Sequence, residues 1–206
     1  MISTDKKFIF VAVMKTSTMS ITSTLGKYSL DNDGYHYTAR ELKNNSLSSV
    51  SSKILGSQNQ FIPLYKQHWE EFFTFGFVRN PWDHFVSLYK WCKKHKNPKT
   101  SRGFDFFLND QYHNKYNCLS DWDFTTQSDR LYENGEKIVN FIGKYENIEQ
   151  EFEFICKNIK VEEKLLSINR SKDTRCYKAF YNSQEQIEKI RSLYAEDIER
   201  FGYEFE

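Results

Sequence analysis

Short apolar runs alternate with amphipathic stretches along the chain. Lys7 to Val13 (KFIFVAV) is aromatic and β-branched without alternation, the pattern of a strand buried on both faces, and predicts a central parallel strand. The polar turn Lys15-Thr16-Ser17-Thr18 follows, and Met19 to Tyr28 then carries Ile21 and Leu25 at helical spacing. Thr38-Ala39-Arg40-Glu41 has capping-box spacing and predicts a helix through about Lys43, with His36 just ahead of it. Asn44 to Gln60, rich in Ser and Asn, reads as a surface loop. Phe72 to Val78 (FFTFGFV) predicts a second buried strand that stops at Arg79-Asn80-Pro81-Trp82. There Asn80 can cap and Pro81 suits the first helical position, so a helix is expected to about His95.

Lys93 to Arg102 reads as an exposed basic loop before a short helix from Phe104 to Leu108. Ile138 to Tyr145 predicts a third strand, and Ile148, Phe152, Ile155 and Ile159 mark one face of the helix after it. One last helix is expected from Ser183 to a stop at Gly202, with Ile187, Ile190, Tyr194, Ile198 and Phe201 as its apolar stripe. The alternation of strand and helix predicts an α/β fold, a three-layer sandwich with a mainly parallel central sheet. A chain of 206 residues suits one domain, residues 1–206.

Charge narrows the possible partners. Lys+Arg of 29 against Asp+Glu of 28 leaves a formal charge of +1, so no global field draws the protein to nucleic acid or an anionic membrane, and any anion site must be local. The longest apolar stretch, Phe8 to Met14, is too short to span a bilayer, and Met1 to Lys7 leads into no signal-peptide core, which predicts a soluble, cytoplasmic chain. Cys92, Cys118, Cys156 and Cys176 are scattered without Cys-x-x-Cys pairs, so neither a zinc site nor a disulfide framework is expected.

Two segments carry chemistry. A strand ending in a short Lys/Ser/Thr loop that opens a helix aims the first helical amides and the helix dipole at an anion. Lys15 adds a charge there, and Thr16, Ser17, Thr18 and Ser20 add hydroxyls; taken alone, a simple helix cap explains this loop as well. In the second segment Arg79 ends a strand, where its guanidinium can grip a phosphate in two-pronged fashion, and Ser87 lies about two turns into the next helix. Parallel α/β sheets place ligands at the carboxyl ends of their strands, so two such ends bearing Lys15 and Arg79 suggest a ligand with two anionic groups, as in a 3′,5′-bisphosphorylated nucleotide.

Lys15-Thr16-Ser17-Thr18-Met19-Ser20 resembles the 5′-phosphosulfate loop of sulfotransferases that use 3′-phosphoadenosine 5′-phosphosulfate (PAPS). Phe77-Val78-Arg79-Asn80-Pro81-Trp82-Asp83-His84-Phe85-Val86-Ser87-Leu88-Tyr89 resembles their 3′-phosphate segment. The likeness is greatest to carbohydrate O-sulfotransferases and their bacterial relatives, and extends through Phe141 to Ile148 and Tyr194 to Tyr203. Family members usually have Pro before the lysine and Gly after Lys-Thr; this chain has Met14 and Ser17, with Met19 in place of a common Thr and His84 in place of a typical Arg. Ser17 would strain the loop if its position needs positive φ.

The resemblance implies a P-loop-like phosphate-binding loop, PAPS as co-substrate without a metal, and a hydroxyl acceptor, carbohydrate by this likeness. It makes Lys15, Thr16, Ser17, Thr18, Met19 and Ser20 the sulfate side of the cofactor site, with Arg79 and Ser87 on the 3′-phosphate. In-line sulfuryl transfer needs a stabilised leaving oxygen, assigned to Lys15, and a base for the acceptor proton. His36, whose context Tyr35-His36-Tyr37-Thr38-Ala39 matches the family's His-x-Thr-Ala form, is the expected base, with His68 in reserve. Trp82, Phe85 and Tyr89 are expected to pack the helix onto the sheet, and Arg175, Tyr177 and Lys178 read as an exposed basic loop or as a cover for the nucleotide. Two rival functions stand beside this one. A nucleotide or small-molecule kinase lacks the expected glycines and a magnesium-binding Asp pair; an inactive nucleotide-binding protein is suggested by Met14, Ser17 and Met19.

Overall fold

The apolar run near the N-terminus becomes an inner strand of a four-stranded sheet. The computed structural model describes residues 1–30, 37–44, 62–114, 126–168 and 173–206. Its strands are β1 (Ile2–Ser3), β2 (Phe8–Phe10), β3 (Phe73–Val78), β4 (Tyr132–Glu133), β5 (Glu136–Lys137) and β6 (Phe141–Lys144). The main sheet has the order β1-β2-β3-β6. β2 pairs with β3 in parallel (Phe8 opposite Phe73) and β3 with β6 in parallel (Phe75 opposite Phe141), while β1 runs antiparallel to β2. The mainly parallel α/β sheet is therefore as the sequence predicts; β1, only two residues long, gave no periodic signal.

The described residues fall into two compact units, Met1–Val78 with Asp129–Arg170, and Arg79–Ser128 with Ser171–Glu206. The first holds the sheet with α1 (Thr18–Leu25), α2 (Ala39–Asn44), α3 (Ile62–His68) and α7 (Ile148–Ile159). Its core joins Phe8, Phe10, Phe75 and Phe77 to Ile21 and Leu25 of α1 and to Phe152, Ile155 and Ile159 of α7. The alternating positions of β3 point the other way. A Cβ added at Gly76 would lie 2.6 Å from Leu131 Cδ2 and 3.1 Å from the Val11 carbonyl, so a larger residue here would have to displace the Leu131 side chain and crowd that carbonyl. Layers on both faces of the sheet follow. Thr74 and Asn140 lock the sheet edge reciprocally: Thr74 N donates to Asn140 Oδ1 (2.7 Å), and Asn140 N to Thr74 Oγ1 (2.8 Å).

Local capping chemistry set several boundaries where expected. Thr38 N donates to Glu41 Oε2 (2.8 Å) and Glu41 N to Thr38 Oγ1 (3.1 Å), which is the capping box of α2. The second unit holds α4 (Pro81–Lys94), α5 (Phe104–His113), α8 (Gln184–Leu193) and α9 (Ala195–Phe201). Asn80 Oδ1 accepts from the amides of Trp82 and Asp83, and Pro81 opens α4. Trp82, Phe85 and Tyr89 are buried, and their ring contacts are with Phe104, Phe107, Phe180 and Phe205 of the same unit.

Other boundaries differ from expectation. α1 ends at Leu25, and a 3₁₀ turn, Gly26–Tyr28, completes the segment. α5 runs on to His113. The last helix is two: Tyr194, at φ −116°, ψ 28°, caps the end of α8 and the start of α9, although the apolar stripe continues across it. β4 and β5 form a hairpin turned by Asn134 (φ 51°) and Gly135 (φ 82°), the pair of left-handed residues a two-residue turn requires. Among the described residues no helix is long and apolar enough to cross a membrane.

Candidate functional site

The first candidate anion-binding segment lies in the first unit. After β2 the chain turns through Lys15 at φ 63° and Ser17 at φ 65°, both left-handed, with Thr16 between them. Left-handed residues in such alternation turn neighbouring amides toward one side, the geometry of an anion-binding nest. Ser17 is the N-cap of α1 and makes no side-chain cap, so no capping oxygen from Ser17 occupies the dipole-positive end of the helix. The hydroxyls have definite duties. Thr16 Oγ1 and Thr18 Oγ1 both donate to the Val13 carbonyl, at 2.8 and 2.7 Å, so their protons fasten the loop to the strand end. Ser20 Oγ accepts from Ile168 N (3.2 Å) and Thr24 Oγ1 from Leu166 N (3.0 Å), which straps residues 166–168 along α1. Lys15 is half-buried and Met19 is exposed. The donors this arrangement offers an anion are chiefly backbone amides, with Lys15 on the same turn.

The second segment lies in the second unit. On α4 the half-buried positions Asp83, Ser87 and Lys90 follow Arg79 at helical spacing, a polar stripe on an otherwise mostly buried helix. Arg79 Nε donates to Asp83 Oδ2 at 2.7 Å, and its Nη2 lies 2.7 Å from the same oxygen. That ion pair fixes the guanidinium against the first turn of the helix. The Ser87 hydroxyl has no hydrogen-bond partner among the described residues. Lys90 Nζ donates to the carbonyls of Asp173 (3.0 Å) and Arg175 (3.3 Å) and sits over the Phe180 ring. Arg175 in turn stacks on Phe180 and donates through Nε and Nη2 to Asp173, which holds that carboxyl well below the usual range. These contacts tie the basic loop ahead of α8 to α4.

Sequence reasoning missed the groups behind Arg79. Gln127, at the start of α6 (Gln127–Leu131), accepts from Arg79 N through Oε1 (2.7 Å) and donates through Nε2 to Arg79 O (2.8 Å). Asp197 of α9 is fully buried; its Oδ2 accepts from Gln127 N (3.0 Å) and its Oδ1 from Ser128 N (2.7 Å). Burial pushes the Asp197 carboxyl up, against the lowering effect of those N–H donors. Asp83 had a readable signal, an acid four residues after an arginine. Gln127 and Asp197 had none, being 48 residues from Arg79 and 70 from Gln127 respectively.

His36 lies outside the described residues, as does Cys118. His68 ends α3, stacked on Phe72 at 4.4 Å with Glu71 3.8 Å away. His84 is buried, with Nδ1 3.3 Å from the Tyr194 hydroxyl. Among the described residues no group of three or more His, Cys, Asp or Glu is arranged to hold a metal ion.

A strand end that turns through a left-handed, lysine-bearing loop into a helix N-terminus without a side-chain cap is suited to hold an anion. A model of the Sulfotransferase family matches residues 1–204, and the chain belongs to that family. It is a PAPS-dependent sulfotransferase. Comparison with individually curated proteins gave no match.

Proposed function

We propose that this enzyme transfers the sulfuryl group of PAPS by in-line displacement to a carbohydrate hydroxyl, with Lys15 at the leaving oxygen, Arg79 and Ser87 on the 3′-phosphate, and His36 as the base. The observation that carries this reading is the Lys15-Thr16-Ser17 turn: two left-handed residues lead into a helix end that Ser17 leaves uncapped, with a lysine on the same turn. The backbone amides and Lys15 hold the sulfated 5′ end, where helix-end amides and a cation match the charge of the donor. The acceptor oxygen attacks sulfur, the bond from sulfur to the bridging oxygen breaks toward Lys15, and the acceptor proton passes to His36. β2 and β3 are parallel neighbours, so the loop after β2 and the chain leaving β3 at Val78 depart from the same edge of the sheet.

Calorimetric titration with adenosine 3′,5′-bisphosphate, beside ADP and ATP with magnesium, tests the reading. Tight binding of the bisphosphate alone is expected; preference for ATP would point to a kinase and overturn it. His36→Ala should abolish turnover, measured as transfer of labelled sulfate from PAPS to a panel of carbohydrates, while bisphosphate affinity stays within about twofold. Normal turnover in that variant removes His36 as the base.

A further inference from the structure

We propose that Gln127 is a positioning residue for Arg79, and that its side-chain amide, held in place by Asp197, sets the enzyme's preference for nucleotides bearing a 3′-phosphate. The inference rests on the proposed role of Arg79 at that phosphate. Gln127 is 1% exposed, and its two amide atoms close a pair of hydrogen bonds on the backbone N–H and C=O of Arg79. A side-chain amide used this way imitates the neighbouring strand that the chain no longer has once β3 has ended at Val78. It fixes the direction in which the Arg79 side chain leaves the backbone. The Asp83 pair then fixes the far end of the same side chain.

The brace is itself braced. The first turn of a helix presents amides that have no intrahelical acceptor, and Asp197 takes two of them, from Gln127 and Ser128, with one oxygen each. Asp197 lies in the first turn of α9, two residues after its start at Ala195. A guanidinium held at backbone and tip binds phosphate with little ordering left to do, which is where a positioning residue gains its effect.

The test compares the Kd of adenosine 5′-phosphate with that of adenosine 3′,5′-bisphosphate, measured by calorimetry on the full chain. Gln127→Glu keeps size and an acceptor for Arg79 N but sets an oxygen against Arg79 O, so the ratio of the two Kd values should fall about tenfold, the loss of a well-placed charged hydrogen bond. Arg79→Ala should lower the ratio at least as far, and the double variant no further than Arg79→Ala. A purely structural role for Gln127 would lower the melting temperature and weaken both nucleotides alike, leaving the ratio intact. If Gln127→Glu does not fold, Gln127→Asn, which withdraws the same amide by one methylene, is measured for the same ratio. An unchanged ratio in the Gln127 variant with a lowered one in Arg79→Ala overturns the inference alone. An unchanged ratio in Arg79→Ala overturns both it and the reading of Arg79.

Discussion

The two candidate anion-binding segments are built on opposite principles. The loop after β2 relies on backbone: left-handed Lys15 and Ser17 aim amides, and the hydroxyls of Thr16 and Thr18 are turned inward to Val13. The segment after β3 relies on a side chain, and its backbone is conventional: Asn80 caps, Pro81 starts the helix, and Arg79 is steadied by Asp83 in front and Gln127 behind. A backbone site carries conformational strain, because non-glycine residues resist positive φ. A side-chain site must instead offset the rotamer freedom of a long arginine, which takes partners. One device needs unusual dihedrals and the other a distant support, and this decides which substitutions each should tolerate.

The sharpest division between them is chemical. Lys15→Met should lower kcat about 10²- to 10³-fold, as loss of charge stabilisation at a leaving oxygen does, with a smaller effect on nucleotide affinity. Steady-state kinetics with PAPS measure this, and a loss confined to KM would make Lys15 a binding group only. Next comes the support of the second segment. Asp197→Asn puts an NH₂ group against one of the two amides that the carboxylate accepts, and should cost about 1–3 kcal/mol in urea unfolding.

That cost should depend on pH with a definite sign. Burial raises the folded-state pKa of Asp197. Its contribution to stability is therefore greatest below its unfolded pKa and falls as pH rises through the folded one, so the gap between wild type and Asp197→Asn should narrow with rising pH. Asn80→Ala removes the cap of α4 and should cost about 1 kcal/mol by the same measurement, with little effect on the first segment. The smallest effect is expected at Ser17. Ser17→Gly relieves roughly 1–2 kcal/mol of left-handed strain but adds roughly 0.4–1 kcal/mol of unfolded-state entropy, so a net gain of about 0.5 kcal/mol should appear in thermal unfolding. Ser17→Val, with its branched Cβ at the same φ, should move the other way.

Much of this fold was legible. The runs around Phe8–Phe10 and Phe73–Val78 read as buried strands because parallel strands covered on both faces need no polar side. The caps at Thr38 and Asn80 and the stripe of α7 gave helix starts within a residue, because capping is settled within four residues of chain. Positive φ at Ser17, expected if the position matches the glycine its relatives carry, is what the structure has. The β4–β5 hairpin went unread although Asn134-Gly135 is a strong turn signal, its strands being two residues each.

The division of the last helix could not be read, because its stripe of Ile187, Ile190, Tyr194, Ile198 and Phe201 keeps helical spacing straight through the break at Tyr194. By itself the sequence determined the mainly parallel α/β class and the family to which its motifs point, since strands, caps and loop residues are local in their physics. Only the tertiary structure decided that Ser20 straps residue 168, and that Gln127 and Asp197 stand behind Arg79. A hydroxyl, an amide and a carboxylate each accept many partners with nearly equal energy. Which partner each one finds is set by how the chain brings distant segments together.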